Sequence, residues 1–252
     1  MNKKLAEIAL VTGASRGIGA ATAKQLAEQG FVVCVNFHKK KDTAEQVVAD
    51  IEAQGGRAFA VQADISKEDD VLALFGSIDK RGLPLTRLVN NAGILFTQSK
   101  LVDMSADRIN KVLMANVTGS LLCAREAVKR MSFSCGGKGG AMVNVSSGAS
   151  RTGSPNEYID YAASKGAIDS FTIGLSKEVA SEGIRVNGVR PGLIYTDIHA
   201  DGGEPDRVAR LTPRIPLQRG GTPEDVAAAI CFLLSDEASY ITGSIIDATG
   251  GI

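Results

Sequence analysis

The sequence predicts an α/β fold: a doubly wound, seven-stranded parallel sheet with helices on both faces. Three observations predict it. Seven short runs are rich in apolar and β-branched residues, helix-length segments separate several of them, and a glycine-rich turn follows the first run. Runs that are apolar on consecutive residues suit strands covered on both faces, whereas a strand with one wet face alternates. Parallel neighbours also need long crossover connections, which helices supply.

Taken in order, the first run is IALVTG from Ile8, followed by a helix that opens in the glycine turn and ends near Gly30. FVVCVNF from Phe31 is the second strand, and Asp42 to Gln54 reads as the next helix, with Asp42 as its cap. AFAVQADI from Ala58 and LTRLVNNAG from Leu85 are the third and fourth strands. A long helix is expected over Ser105 to Ser132, then a surface loop at SCGGKGG, Ser134 to Gly140, then AMVNVSS from Ala141. Tyr158 to Glu182 reads as a second long helix before IRVNGVRPG from Ile184, and GSIIDATGG from Gly243 closes the sheet. The stretch from Asp197 to Arg219, rich in Gly, Pro and charge, has no clear strand or helix role. A lid over a site and an ordinary long connection are both open readings of it.

With 252 residues and 44% hydrophobic side chains, one core is enough, so residues 1–252 are expected to form a single domain. Lys plus Arg and Asp plus Glu both total 28, and the basic surplus of a nucleic-acid binder is missing. The opening segment MNKKLAEIALVTG carries no export signal, and runs such as Ile230 to Leu234 fall far short of the roughly 20 residues that span a bilayer. A cytoplasmic protein is expected. Cys34, Cys123, Cys135 and Cys231 are scattered, and His38 and His199 are the only histidines, so no metal site is expected. Cys34, Cys123 and Cys231 should pack as small hydrophobes, with Cys135 in a loop.

The turn T12-G-A-S-R-G-I-G19 places Gly13, Gly17 and Gly19, with Ser15, Arg16 and Ile18 among them, between a strand and the start of a helix. Glycine lets the backbone approach a pyrophosphate, and free N–H groups at a helix N-terminus favour an anion. The spacing G-x-x-x-G-x-G departs from the G-x-G-x-x-G fingerprint, but its setting points to a dinucleotide. In such folds an acid at the end of the second strand selects NAD by binding the ribose 2′-hydroxyl. Here Phe37 holds that position, followed by His38, Lys39, Lys40 and Lys41. A 2′-phosphate would be attracted by these lysines and by Arg16, so NADP(H) is favoured over NAD(H). A plain solvated lysine run is the alternative.

Tyr161 and Lys165 lie four apart and share a helix face. A tyrosine near 10 must drop by roughly three units to exchange protons near neutrality, about 4 kcal/mol, and one ammonium about 4 Å away is worth about that much. Tyr158 makes no such pair, because Ala162 stands four residues beyond it.

Together with TGASRGIG, the NNAG of Asn90 to Gly93, Asn116 in MANVTG, the pair Ser146-Ser147, YAASK and PGLIYT from Pro191, these residues make the chain resemble the short-chain dehydrogenase/reductase family over essentially its whole length. The look is that of the branch with 3-oxoacyl-carrier-protein reductases and glucose dehydrogenase-like enzymes. The resemblance implies a Rossmann fold and a catalytic set of Asn116, Ser147, Tyr161 and Lys165. Ser147 would bond the substrate oxygen, Tyr161 would pass the proton, Lys165 would also bind the nicotinamide ribose, and Asn116 would hold a relay water. The family's serine usually precedes the tyrosine by about 13 residues. Here Ser147 precedes it by 14, and Ser146 and Ser150 are alternatives.

By the same carry-over, Asp64 and Ile65 should flank the adenine, and Asn90, Ala92 and Gly93 should lie along the adenosine ribose. Pro191, Gly192, Ile194 and Thr196 should close over the nicotinamide and pyrophosphate. The resemblance also implies a homotetramer. The expected activity is hydride transfer between NADP(H) and a small-molecule carbonyl or alcohol, with no nucleic-acid or membrane partner. A non-catalytic dinucleotide sensor on the same scaffold is the alternative.

Overall fold

The structure, a computed structural model, describes residues 6–252, so the lysines of the opening segment lie outside it. All seven expected strands are present: β1 Ile8–Val11, β2 Val32–Phe37, β3 Arg57–Gln62, β4 Leu85–Asn90, β5 Gly140–Val145, β6 Ile184–Pro191 and β7 Ile245–Ala248. They form one sheet in the order β3-β2-β1-β4-β5-β6-β7, with every pairing parallel. Strand order reverses between β1 and β4. Ligands of open parallel sheets bind outside the strand C-termini at such a reversal.

Successive strand residues point to opposite faces, and each face has its own core. Ala9, Val11, Val33 and Val35 pack against α1 (Gly17–Glu28), α2 (Lys41–Ala53) and α10 (Pro223–Leu234). Ile8, Leu10, Cys34 and Leu88 pack against α3 (Glu68–Asp79) and α5 (Gly119–Met131), with Phe171 and Leu175 of α7 (Ile159–Glu178) at the margin. Two-sided burial explains why the strands read as continuous apolar runs. α10 starts at a capping box in which Thr222 and Asp225 satisfy each other's backbone N–H, with Pro223 at the first helical position.

The long helix expected over Ser105 to Ser132 is interrupted. Ser105 caps α4 (Ala106–Leu113), a π-helical turn runs through Met114–Thr118, and α5 continues from Gly119. The turn adds a residue to the helical repeat, a feature frequent at functional sites, and Asn116 sits within it. Asp42 is not the cap of α2: that position falls on Lys40, and Asp42 lies in the first turn, where a carboxylate still favours the helix dipole. The 197–219 segment is more ordered than its composition suggests, containing α8 (Ile198–Asp201), α9 (Arg207–Leu211) and a 3₁₀ turn at Thr212–Arg214. α6 (Ala149–Thr152) follows β5.

One buried ion pair ties the site's elements together. Arg108 on α4 grips Asp160 with Nε at 2.8 Å and Nη2 at 3.3 Å, and its Nη1 donates to the Thr97 carbonyl at 2.7 Å. Asp160 in turn accepts the backbone N–H of Tyr161 at 3.0 Å. Replacing Arg108 by Met leaves a buried carboxylate unpaired and should cost about 3–5 kcal/mol in urea unfolding.

Cys34, Cys123 and Cys231 are buried and Cys135 is exposed. Burial pushes the Cys34 thiol far up and holds those of Cys123 and Cys231 at about 12. The folded state keeps these protons above pH 9, where the unfolded chain loses them. Their contribution to stability is therefore intact below pH 9 and lost as pH rises above it, by about 1.4 kcal/mol per thiol per pH unit. In urea midpoints measured from pH 8 to 11, the triple Cys→Ala variant should show a decline shallower by about three proton equivalents.

Candidate active site

A cavity of about 900 Å³ opens at the strand C-termini around the β1/β4 reversal. Its walls come from the segments after all seven strands and from the 197–219 segment. The loops after β1 and β4 are sewn together: the backbone N–H groups of Asn91 and Ala92 both donate to Thr12 Oγ at 3.0 Å, and Asn91 Nδ2 donates to the Thr12 carbonyl at 2.8 Å. Gly13 takes φ +61°, and a Cβ there would stand 2.9 Å from Ala92 Cα, so this position requires glycine.

Most residues assigned to cofactor binding line this one cavity: Gly13, Ser15, Arg16, Gly17 and Ile18 after β1, His38 and Lys39 after β2, Asp64 and Ile65 after β3, Ala92 and Gly93 after β4, and Pro191, Gly192, Ile194 and Thr196 after β6. Three do not. Phe37 is turned into the core beneath α1 and α2, because the last residue of β2 falls on the inward side of the pleat. Asn90 is buried behind the cavity, where its Nδ2 donates to Asn144 Oδ1 at 2.9 Å and to the Ser120 carbonyl at 3.2 Å. Asn91 takes the lining position instead. Gly19 lies beneath the turn, where a Cβ would meet the Gly13 carbonyl at 2.6 Å; it serves close packing of the helix against the loop.

The basic residues are not equally available. Arg16 donates to Asp197 at 3.0 Å and also bonds Asp201, both in the 197–219 segment. His38, Lys39 and Lys40 face the cavity without such a clamp, His38 standing 3.6 Å from the Asp64 carboxylate. Asn36, which the sequence reading missed, accepts the Gly13 N–H at 3.3 Å and donates to the Ala63 carbonyl at 3.2 Å. An asparagine inside an apolar strand was its signal.

Ser147, Tyr161 and Lys165 meet in the same cavity. Ser147 lowers the pKa of the Tyr161 phenol and its Oγ accepts the Ala149 N–H at 3.1 Å, whereas Ser146 donates to the Lys165 carbonyl at 3.1 Å and Ser150 to the Ser147 carbonyl at 2.8 Å. Ser146 and Ser150 thus have their hydroxyls engaged by backbone carbonyls. Lys165 Nζ donates to the Val145 carbonyl at 2.8 Å and lies 5.5 Å from the centroid of the Tyr161 ring. Burial lowers Lys165 to about 8, opposed by the nearby Asp169 carboxylate. Asp169, one turn further along α7 and held by Arg190 at 3.0 Å, is a second residue that sequence reasoning missed.

Burial also raises the Tyr161 phenol above its ordinary value, and the Ser147 hydrogen bond opposes this. The Lys165 Nζ is directed to the Val145 carbonyl at 2.8 Å, and burial makes it a weaker cation. Asn116 does not reach the cavity surface. Its Oδ1 accepts the Ile94 N–H at 2.7 Å, and its Nδ2 donates to the Ile94 carbonyl at 2.9 Å and to Ser164 Oγ at 3.0 Å.

Tyr158 is buried, donates its hydroxyl to the Gly202 carbonyl at 3.1 Å and lies beneath the Arg207 guanidinium. It anchors the 197–219 segment. Among the described residues no cluster of metal-ligating side chains occurs, and no helix is long and apolar enough to cross a membrane.

Comparisons with known proteins concern the whole chain. The family model described as enoyl-(acyl carrier protein) reductase matches residues 13–252. An uncharacterized oxidoreductase, YgfF of Escherichia coli K12, is 62% identical over 97% of this chain and 99% of its own. A 3-oxoacyl-[acyl-carrier-protein] reductase of Synechocystis is 41% identical over 100% and 99%, and one of Staphylococcus aureus is 38% identical over 99% of each. Among solved structures, a dehydrogenase/reductase from Sinorhizobium meliloti superposes with a TM-score of 0.90 at 29% identity, covering 98% of this chain and 95% of that one. With matches of this length on a parallel sheet of this order, the chain belongs to the short-chain dehydrogenase/reductase family of oxidoreductases.

Proposed function

We propose that this protein interconverts a small carbonyl compound and the corresponding alcohol with NADP(H), using Tyr161 as the general acid and base. The observation that carries this reading is the convergence of Ser147, Tyr161 and Lys165 on the cavity whose other end is a glycine-lined phosphate cradle. Gly13 and Gly17, both at positive φ, and the free N-terminus of α1 fit a pyrophosphate, while Gly93, where a Cβ would stand 3.4 Å from Lys165 Nζ, leaves room beside the lysine. The bound nicotinamide supplies or accepts the hydride.

In the reducing direction Tyr161 gives its phenolic proton to the carbonyl oxygen, and Ser147 donates a hydrogen bond to that same oxygen as its charge grows. Lys165 stands close enough to favour the phenolate and to bond ribose hydroxyls. Asn116 acts at one remove: its amide clamps Ile94 and so fixes the loop that forms the cavity wall. A water relay through Asn116 would have to use the remaining lone pair of Oδ1, because both amide hydrogens are engaged.

The preference for NADP(H) rests on His38, Lys39 and Lys40 at the cavity edge after β2, where no carboxylate occupies the end of the strand. A 2′-phosphate there would also compete with Asp197 and Asp201 for Arg16. The homotetramer finds support in Leu113, Met114 and Leu121, exposed along α4 to α5.

A Tyr161→Phe variant should keep its fold and cofactor affinity while kcat falls by about 10²–10⁴ in a ketone and aldehyde screen; near-normal turnover would refute the mechanism. In the same screen kcat/KM should be at least about tenfold higher with NADPH than with NADH, and Lys39→Glu should narrow that gap. A preference for NADH would remove the role assigned to Arg16, His38 and Lys39.

A further inference from the structure

We infer that the carbonyl substrate carries an anionic group, received by Arg214 on the lid over the active site. This rests on the carbonyl-reduction reading above and concerns the part of the cavity built by the 197–219 segment and α6. Three arginines, Arg151, Arg207 and Arg214, line that part. Among the described residues, the acidic side chains that line the whole cavity are those of Asp64 and Asp197, the first after β3 beside His38 and the second bonded to Arg16. The 197–219 segment thus adds Arg207 and Arg214 to the lining against one acidic side chain, Asp197, which is already paired with Arg16.

The three arginines differ in what already holds them. Arg207 is saturated by Glu157 at 2.5 Å and Glu204 at 2.8 Å, and Arg151 bonds Asp247 at 2.6 Å. Those three acids do not line the cavity, so they neutralise their partners from behind. Arg214 is exposed and, among the described residues, has no carboxylate within ion-pairing reach.

Its mounting is rigid. Arg214 ends the Thr212–Arg214 turn, Ile215 beside it is fully buried, and the next turn is pinned where Leu217 N–H donates to the Gly250 carbonyl at 3.1 Å. Ile94, Leu95 and Leu211 supply apolar wall. An apolar chamber ending in one uncommitted guanidinium suits a short carbon chain bearing a carbonyl and a carboxylate or phosphate. Burial lowers His199, the other lid residue that could turn cationic, and its Nε2 is engaged by the Ile194 carbonyl at 3.0 Å, so charge recognition falls to arginine.

The test separates binding from turnover. Enzyme saturated with NADPH is titrated calorimetrically with hexanoate and with hexanamide, which share a chain and differ in charge. Hexanoate should bind at least about tenfold more tightly, Arg214→Gln should abolish most of that preference, and Arg214→Lys should restore part of it. In turnover, levulinate against its methyl ester and dihydroxyacetone phosphate against dihydroxyacetone should show the same sign, the larger ratio identifying carboxylate or phosphate as the anion.

Equal binding of hexanoate and hexanamide, a preference that survives in Arg214→Gln, or a larger effect of that variant on NADPH than on hexanoate would overturn the inference. If hexanoate binds through Arg214 while no carbonyl is reduced, the anion site stands and the reductase reading falls.

Discussion

The reversal of strand order between β1 and β4 is the constraint on which the site depends. Parallel strands on either side send their connections to opposite faces, so the loops after β1 and β4 part and leave a crevice. Thr12 and Asn91 hold that crevice at a fixed width by bonding each loop to the other's backbone. Gly13 is the point of closest approach, where Ala92 leaves no room for a side chain. From this seam the β4 loop runs on to Ile94, which Asn116 grips from a π-helical turn, and Ser164 links Asn116 to the helix that carries Tyr161.

Charge is handled in separate compartments. The Arg108–Asp160 pair compensates a buried carboxylate next to Tyr161, keeping an uncompensated anion away from the phenol. Asp169, braced by Arg190, supports the buried Lys165 ammonium from the far side. Burial dominates both Tyr161 and Lys165 and drives each toward its neutral form. A cationic nicotinamide would act on the tyrosine in the opposite direction, which links proton transfer to the redox state of the cofactor. The 197–219 segment is tied to the glycine loop through Arg16, whose guanidinium bonds Asp197 and Asp201.

Much of this was legible in sequence. Seven apolar runs gave seven strands because the sheet is buried on both faces, and burial on both faces removes the alternation that would have obscured them. The glycine turn and the Tyr161/Lys165 spacing were legible because both are local, a backbone demand and a helical repeat. Phe37 and Asn90 were misplaced for a different reason: each ends a strand, and a pleat of period two decides whether that last side chain faces the core or the crevice. Asn116 was recognised as important, but that its amide is committed to Ile94 depends on a loop 22 residues away.

The sequence by itself determined the class of fold, the strand count, the glycine turn and the tyrosine–lysine pair, since each is written in residues close together along the chain. Only the tertiary structure decided which of the basic residues remain free to meet a ligand. Arg16 and Arg207 are committed to acids 50 to 185 residues distant along the chain, Arg207 through Glu157 and Arg16 through Asp197 and Asp201, while Arg214 is left lining the cavity without such a partner among the described residues. Ion pairing across the fold depends on where distant segments come to rest, and that is a property of packing rather than of order along the chain.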